Sequence, residues 1–286
     1  MEPLVTIGIV MFNEERYIAQ AIESVLQQSY KNIKLIISDN CSTDASYGIA
    51  EKYLQNDNRI ELYRQEKNEG PVFNFEFVLQ KINSPYFALL GAHDLLLPDY
   101  IQSAMDWVQR EEIALVYPEG RFIDQDGNQL ENITDDYDTT GMPIDQRFVK
   151  IATNWYNGYV IHGVFKTKVI KKLPVENIIS PDFLMILLTN LYGTIKKLPE
   201  IGYERRVVRK ETSSDQHERH IREGIYRHSE YNPYGKFIWH LSENIFKAHH
   251  ISIIYKIRLI LKLKKVIGER FGGSWKEIML HSNKMN

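Results

Sequence analysis

One cysteine, ten prolines and sixteen glycines in 286 residues exclude several classes of protein. The lone Cys41 can form no internal disulfide, which rules out a disulfide scaffold and fits a reducing compartment. Glycine and proline are too sparse for collagen-like or low-complexity chains. No apolar run approaches the roughly 20 residues that span a bilayer. The opening MEPLVTIGIVMFNEE lacks the basic segment of a signal peptide. These absences predict a cytoplasmic protein, or one that lies peripherally on the inner face of a membrane. Walker loops, GxGxxG, Ser-His-Asp order and zinc spacings are also missing. What is present is ordinary for one large globular domain or two small ones: 43% hydrophobic and 25% charged residues.

The net charge of -2 conceals an asymmetry. From Arg205 onward there are 17 Lys and Arg against 8 Asp and Glu, whereas the first 204 residues hold 18 against 29. An acidic body with a basic tail points to something anionic at the tail, the plain alternative being a Lys-rich solvated helix. No aromatic platform is interleaved with those cations, which argues against nucleic acid.

The first 120 residues alternate strand and helix. The short apolar run at 5–10, rich in β-branched residues, reads as a buried parallel strand, and 33–37, 60–63, 86–90 and 113–117 read as the strands that follow it. Between them, helical spacing runs from Asn13 through Ile18, Ala21, Ile22 and Val25, again around Ile49 to Leu54, over 72–82, and from Pro98. Such alternation predicts a parallel sheet covered on both faces. After Pro118 the pattern changes: 122–130 reads as a hairpin around Asp126-Gly127, and 132–143 as polar, acidic and mobile. Mixed helices and short strands follow to about Val208, then a basic C-terminal extension.

In open α/β sheets, ligands bind beyond the carboxyl ends of the strands. Polar groups stand at three such ends: Phe12-Asn13-Glu14, Asp39-Asn40 and His93-Asp94. With these residues in view, VTIGIVMFNEERYIAQAIESVLQQSYKNIKLIISDNCSTD resembles the opening of glycosyltransferase family 2, inverting nucleotide-sugar enzymes with a GT-A fold. Asn68, Gly70 and Asn74, then SPYFALLGAHDLLLPDYI, continue the likeness in order, over about residues 4–118. It implies a Rossmann-like, mostly parallel α/β sheet flanked by helices. Residues 1–118 would be a donor half, 119–210 an acceptor half, and 211–286 a basic, mainly helical extension.

The resemblance also implies roles. Phe12 would stack on the nucleotide base and Asp39 would accept a hydrogen bond from it, usually uracil. Asn13, Glu14, Asn68, Gly70 and Asn74 would complete the donor site. The family's acid pair after the fourth strand is replaced here by Gly91-Ala92-His93-Asp94. Asp94 is expected to hold Mn²⁺ or Mg²⁺ on the diphosphate, with His93 a donor contact or a second ligand favouring Mn²⁺. Asp182, in Ser180-Pro181-Asp182, matches the base that deprotonates the acceptor hydroxyl, although Pro181 replaces the usual Glu. Its place in the first turn of a helix is expected to keep it ionised. His162, Arg205, Arg206 and Arg209 are further candidates for acceptor or phosphate contacts. The segment with His217, Arg219, His220 and Arg222 reads as a phosphate-contacting lid.

The reaction implied is metal-dependent transfer from a nucleotide-sugar, a UDP-sugar first, to a glycan or lipid-linked oligosaccharide in capsule or O-antigen synthesis. A scaffold that kept the fold and lost the chemistry is the competing reading. The altered acid motif and Pro181 favour it; joint retention of Asp39, Asp94 and Asp182 opposes it. A nucleotidyltransferase would need a Gly-rich loop after the first strand, which is absent. In the tail, a helical wheel over 251–267 sets Arg258, Lys262 and Lys265 opposite Ile253, Ile257, Ile260, Leu261 and Ile267. Such a helix either packs on the domain or lies on an anionic membrane. Nothing in the sequence speaks to oligomeric state.

Overall fold

The computed structural model describes residues 2–178, 180–208 and 233–271. Arg209, the proposed lid around His217 to Arg222 and the end of the tail lie outside the described residues. Strands β1 (Val5–Met11), β2 (Ile33–Asp39), β3 (Ile60–Arg64) and β4 (Tyr86–Gly91) pair in parallel in the order β3-β2-β1-β4. Val5, Ile7 and Ile9 of β1 are fully buried, as a strand covered on both faces must be. Helices α1 (Ile18–Leu26), α2 (Ser46–Asn56), α3 (Pro71–Lys81) and α4 (Tyr100–Val108) cover this sheet. Met11 is level with Asp39, Asp39 with Arg64, and Val10 with Gly91. The turns after these strands therefore open on one rim.

The remaining elements are β5 (Leu95–Leu96), β6 (Ile113–Ile123), β7 (Gln129–Ile133), α5 (Ile144–Asn154), a 3-10 turn (Tyr159–His162), β8 (Val164–Lys166), α6 (Thr167–Ile170), α7 (Pro181–Thr189), β9 (Thr194–Arg206), α8 (Pro233–Lys247) and α9 (Ile253–Phe271). The full sheet runs β3-β2-β1-β4-β8-β6-β9-β5, with β7 on β6. β6 and β9 run with the first four strands, while β5, β7 and β8 oppose them.

Three local expectations change. Helix α1 starts at Ile18, not Asn13, because the N–H groups of Asn13, Glu14 and Glu15 are taken by Ser42 Oγ, Ser46 Oγ and Asp44 Oδ2. Strand β6 continues through Pro118, because register shifts on either side of Glu119 absorb the missing donor. The acidic stretch 132–143 is pinned down. Tyr137 and Thr139 are fully buried, Tyr137 N–H donates to Tyr117 Oη at 2.7 Å, and Asp138 pairs with Lys196 at 2.9 Å.

The basic tail packs on the domain. Phe237 of α8 stacks on Phe183 of α7 with centroids 5.2 Å apart, and Leu259, Leu263 and Ile267 of α9 are buried. Lys262 and Tyr255 both reach Asp145 of α5. The expected apolar side is split: Ile267 turns inward while Ile253, Ile257 and Leu261 stay outside. Leu259→Ala or Leu263→Ala should cost about 2–5 kcal/mol in chemical denaturation. A loss below about 1 kcal/mol would show that α9 contributes little to the core.

Candidate active site

The rim beyond β1 and β2 is a closed set of side chain–backbone bonds. Asn13 adopts φ 54° and its Oδ1 accepts the Thr43 N–H at 2.8 Å. Asp39 is fully buried, accepts the Ser42 N–H at 3.1 Å and lies 3.3 Å from Arg64 Nε. Asn40 Nδ2 donates to Asn68 Oδ1, which also accepts the Gly70 N–H at 2.9 Å. Asn74 is buried, its Nδ2 donating to the Ser38 carbonyl at 2.9 Å while its Oδ1 accepts from Ser38 Oγ. Phe12 stands out from this frame, 41% exposed. A rigid polar rim with one bare ring suits a planar heterocycle. Asn13 Oδ1, Asn68 Oδ1 and both polar atoms of Asn74 are thus engaged within the rim.

His93 and Glu14 meet across the cleft, Nδ1 to Oε1 at 2.9 Å. In the neutral ring this bond places the proton on Nδ1 and the lone pair on Nε2. Burial opposes charge on His93, but the Glu14 bond and the nearby Asp94 carboxylate outweigh it and raise its pKa above the ordinary 6.5. Asp94, expected as an open metal ligand, is only 3% exposed. Its Oδ2 accepts from Tyr203 Oη at 2.5 Å and its Oδ1 from the Arg206 N–H at 2.8 Å. Gly91 makes room for it, since a Cβ there would come 2.5 Å from Oδ2.

Arg206 does not face a ligand. Its guanidinium donates to the carbonyls of His93, Asp124 and Gln125 and to Gln20 Oε1, and lies over the Tyr17 ring. Arg205 reaches the other way, Nη1 donating to the Asn157 carbonyl at 2.5 Å. Its charge acts on His93, His162 and Asp182 together. His162 stacks on Tyr203 with centroids 4.9 Å apart, and its Nδ1 lies 3.1 Å from the Leu89 carbonyl. Burial drives its pKa down to about 4, so it is a neutral ring with Nε2 free to accept.

Asp182 occupies the first turn of α7, its Oδ1 accepting the Phe183 N–H at 2.9 Å. Burial raises its pKa above 3.8 despite that bond, a second from its own N–H, and the Arg205 charge. The expectation that the helix terminus would dominate is thus reversed: desolvation wins. Gly158 lets the 3-10 turn approach this carboxyl. Its φ is 68°, and a Cβ would lie 2.8 Å from Asp182 Oδ2. Sequence reasoning missed Gly158 and Tyr203; the Asn157-Gly158 pair was the available turn signal.

Two histidines in one cleft therefore titrate in opposite directions. Imidazole NMR should find His93 above 6.5 and His162 near about 4, with Glu14→Gln lowering His93 and leaving His162 in place. An unmoved His93 in that variant would remove Glu14 as the cause.

The Glycosyl transferase family 2 model matches residues 6–173. A Haemophilus influenzae protein described as an uncharacterized glycosyltransferase is 31% identical over 132 residues, covering 46% of this chain and 53% of that protein. Escherichia coli chondroitin synthase is 30% identical over 131 residues, covering 46% of this chain and 19% of the synthase. The chain thus spans about half the length of the first relative and a fifth of the second. Among solved structures, S. aureus TarS 1-349 in complex with UDP superposes with a TM-score of 0.66 at 14% identity, over 95% of this chain and 72% of TarS. That likeness concerns the fold, which is GT-A, with a helical C-terminal hairpin. Matched by the family model over more than half of its 286 residues, the chain belongs to glycosyl transferase family 2.

Proposed function

We propose that this chain transfers a sugar from a UDP-sugar to a hydroxyl of a growing surface glycan, with inversion at the anomeric carbon. The observation that carries the reading is the Asp182 carboxyl. It is sheltered, raised in pKa, held against Gly158, and joined electrostatically through Arg205 to the His93 side of the cleft. Phe12 and Asp39 would take the uracil, residues 1–118 forming the donor half and 119–210 the acceptor half. Asp182 would accept the proton of the acceptor hydroxyl as its oxygen bonds to C1. The bond from C1 to the diphosphate breaks, its electron pair leaving on the phosphate oxygen, and Asp182 later returns its proton to water. Arg205 would offset the negative charge that gathers on the departing diphosphate. The UDP bound by TarS supports the choice of nucleotide, and the likeness to a chondroitin synthase supports a polysaccharide acceptor of the capsule or O-antigen kind, free or lipid-linked.

A divalent ion fits this donor set. His93 Nε2 and Asp94 Oδ1, 4.0 Å apart, are the protein atoms that would hold it. Oδ1 keeps a lone pair beside the Arg206 bond, and Glu14 orients the imidazole from behind. Among the described residues no group of three His, Cys, Asp or Glu could hold a metal, so diphosphate oxygens and water would complete the shell. The imidazole favours Mn²⁺ over Mg²⁺. When bound, the ion would supply Lewis-acid neutralisation of the diphosphate.

Asp182→Asn should cut transfer about 10²- to 10⁴-fold with UDP affinity unchanged by calorimetry. Because a raised carboxyl is ionised at a cost to the native state above its folded pKa, the variant should melt no lower than the parent at pH 7. The parent's transfer rate should fall as pH drops through a value above the ordinary ~3.9 of Asp. Near-normal transfer in the variant would take Asp182 out of the mechanism.

A thermal-shift panel of UDP, GDP, dTDP and CMP should show the largest rise with UDP plus Mn²⁺. His93→Ala should lose the Mn²⁺-dependent part of that rise. Equal shifts with and without Mn²⁺ in the parent would remove the metal from the reading.

A further inference from the structure

The α8–α9 hairpin packs by one side and leaves the other bare. On α9, Leu259, Leu263 and Ile267 face inward, while Ile254 is 63% exposed and Leu261 59%, with Ile253 and Ile257 also outside. At 100° per residue, Ile254, Ile257 and Leu261 fall within about 60° of one another, with Ile253 at the edge. Arg258, Lys262 and Lys265 border this stripe on one side and Lys264 on the other. From Ile253 to Gly268 the sequence has no acidic residue.

The neighbouring helix continues the surface. Trp239 of α8 is 60% exposed and Phe246 is exposed as well, one helical face apart from the buried Phe237, Leu241 and Ile245. Ser242 lies both in the groove beside Trp239 and Phe246 and in the seam with Lys264 of α9, so the two bare faces adjoin. The one acid between Pro233 and Gly268 is Glu243, paired with Lys247 at 2.7 Å. Among the described residues no helix is long and apolar enough to cross a membrane.

We propose that this hairpin is the face by which the protein lies on an anionic lipid bilayer. Trp239, Phe246, Ile254, Ile257 and Leu261 would enter the boundary between headgroups and acyl chains, and Arg258, Lys264 and Lys265 would meet lipid phosphates. A bare aliphatic stripe with a Trp and a rim of one charge is the pattern that an interfacial helix needs. A second copy of this chain fits less well, because a two-fold contact would press like-charged rims together. Asp145 takes Lys262 as a partner at 2.8 Å, which ties this side of the rim to α5. The proposal stands independently of the transfer reading. Its geometry places Phe237 against Phe183, the residue after Asp182, so the docked face is one helix layer from the acceptor side.

The test is co-sedimentation of the full 286-residue chain with phosphatidylglycerol–phosphatidylcholine vesicles and with pure phosphatidylcholine, at low and high salt. Truncation is unsuitable, since it would strip Leu259, Leu263 and Ile267 from the core. The combined variant Ile254→Ser, Ile257→Ser and Leu261→Ser alters only exposed side chains and should keep the parent's melting temperature. Expected are binding to the anionic vesicles that weakens with salt, and a loss of about tenfold or more in that variant. Arg258→Glu with Lys265→Glu should weaken binding about as much and flatten its salt dependence. Absence of parent binding at low salt, or equal binding by the serine variant, overturns the proposal. So does sedimentation velocity showing a lipid-free dimer that the serine variant converts to monomer, which would assign the face to self-association.

Discussion

A single cation at the end of β9 holds the site together. Among the described residues no carboxylate pairs with the Arg206 guanidinium; it is satisfied by three carbonyls, one side-chain amide and the face of Tyr17. Those acceptors come from α1, from the turn after β4 and from the β6–β7 hairpin. Asp94 takes the backbone N–H of the same residue. A buried cation spread over neutral acceptors is costly to dismantle, because every lost partner leaves a desolvated polar group behind. Strand ends that would otherwise be independent loops are thereby fixed relative to one another.

From that frame the division of labour follows. Residues that face inward, Asp94, Tyr203 and Arg206, are spent on one another and set geometry. Residues one step outward, His93, Arg205 and His162, keep one polar edge toward the cleft. His93 is stabilised as a cation by its neighbours, whereas His162, sandwiched against Tyr203 and tied to a carbonyl, is held neutral. The same site thus holds one imidazole pushed toward its charged form and one pushed toward its neutral form, with a desolvated carboxyl that the same Arg205 charge reaches.

The strand–helix alternation was legible because short apolar runs recur at regular intervals between stretches of helical spacing, the first of them rich in β-branched residues. The rim residues were legible for the same reason: a polar cluster right after such a run has few places to go. What could not be read was orientation. Asp94 and His93 are adjacent in sequence, yet Asp94 is buried against Tyr203 and the Arg206 backbone in the space that Gly91 leaves, while His93 turns to Glu14. Pro118 misled because the rule that ends strands at proline ignores bulges, and residues 132–143 misled because their carboxylates find Lys150, Asn157 and Lys196 later in the chain. The tail's wheel was read as one apolar side; packing against both α5 and α8 divides it.

Strand β8 carries a consequence for how the chain reaches this state. It is three residues long and lies between β4 and β6, pairing Tyr86 with Lys166 and Leu115 with Phe165. Strands β1–β4 are all synthesised by Gly91, but the β4 edge lacks its β8 neighbour until Val164–Lys166 leaves the ribosome. During that interval β4 presents open N–H and C=O groups, the template on which strangers pair. Closure over so long a loop is slow, since the entropy of bringing distant segments together is lost before any ladder bond repays it. Assembly order therefore departs from the linear layout: the centre of the sheet closes only after β1–β4 and β6–β7 have been made, with β9 and its partner β5 added later still, so the open edge lies inside the finished sheet and not at its rims.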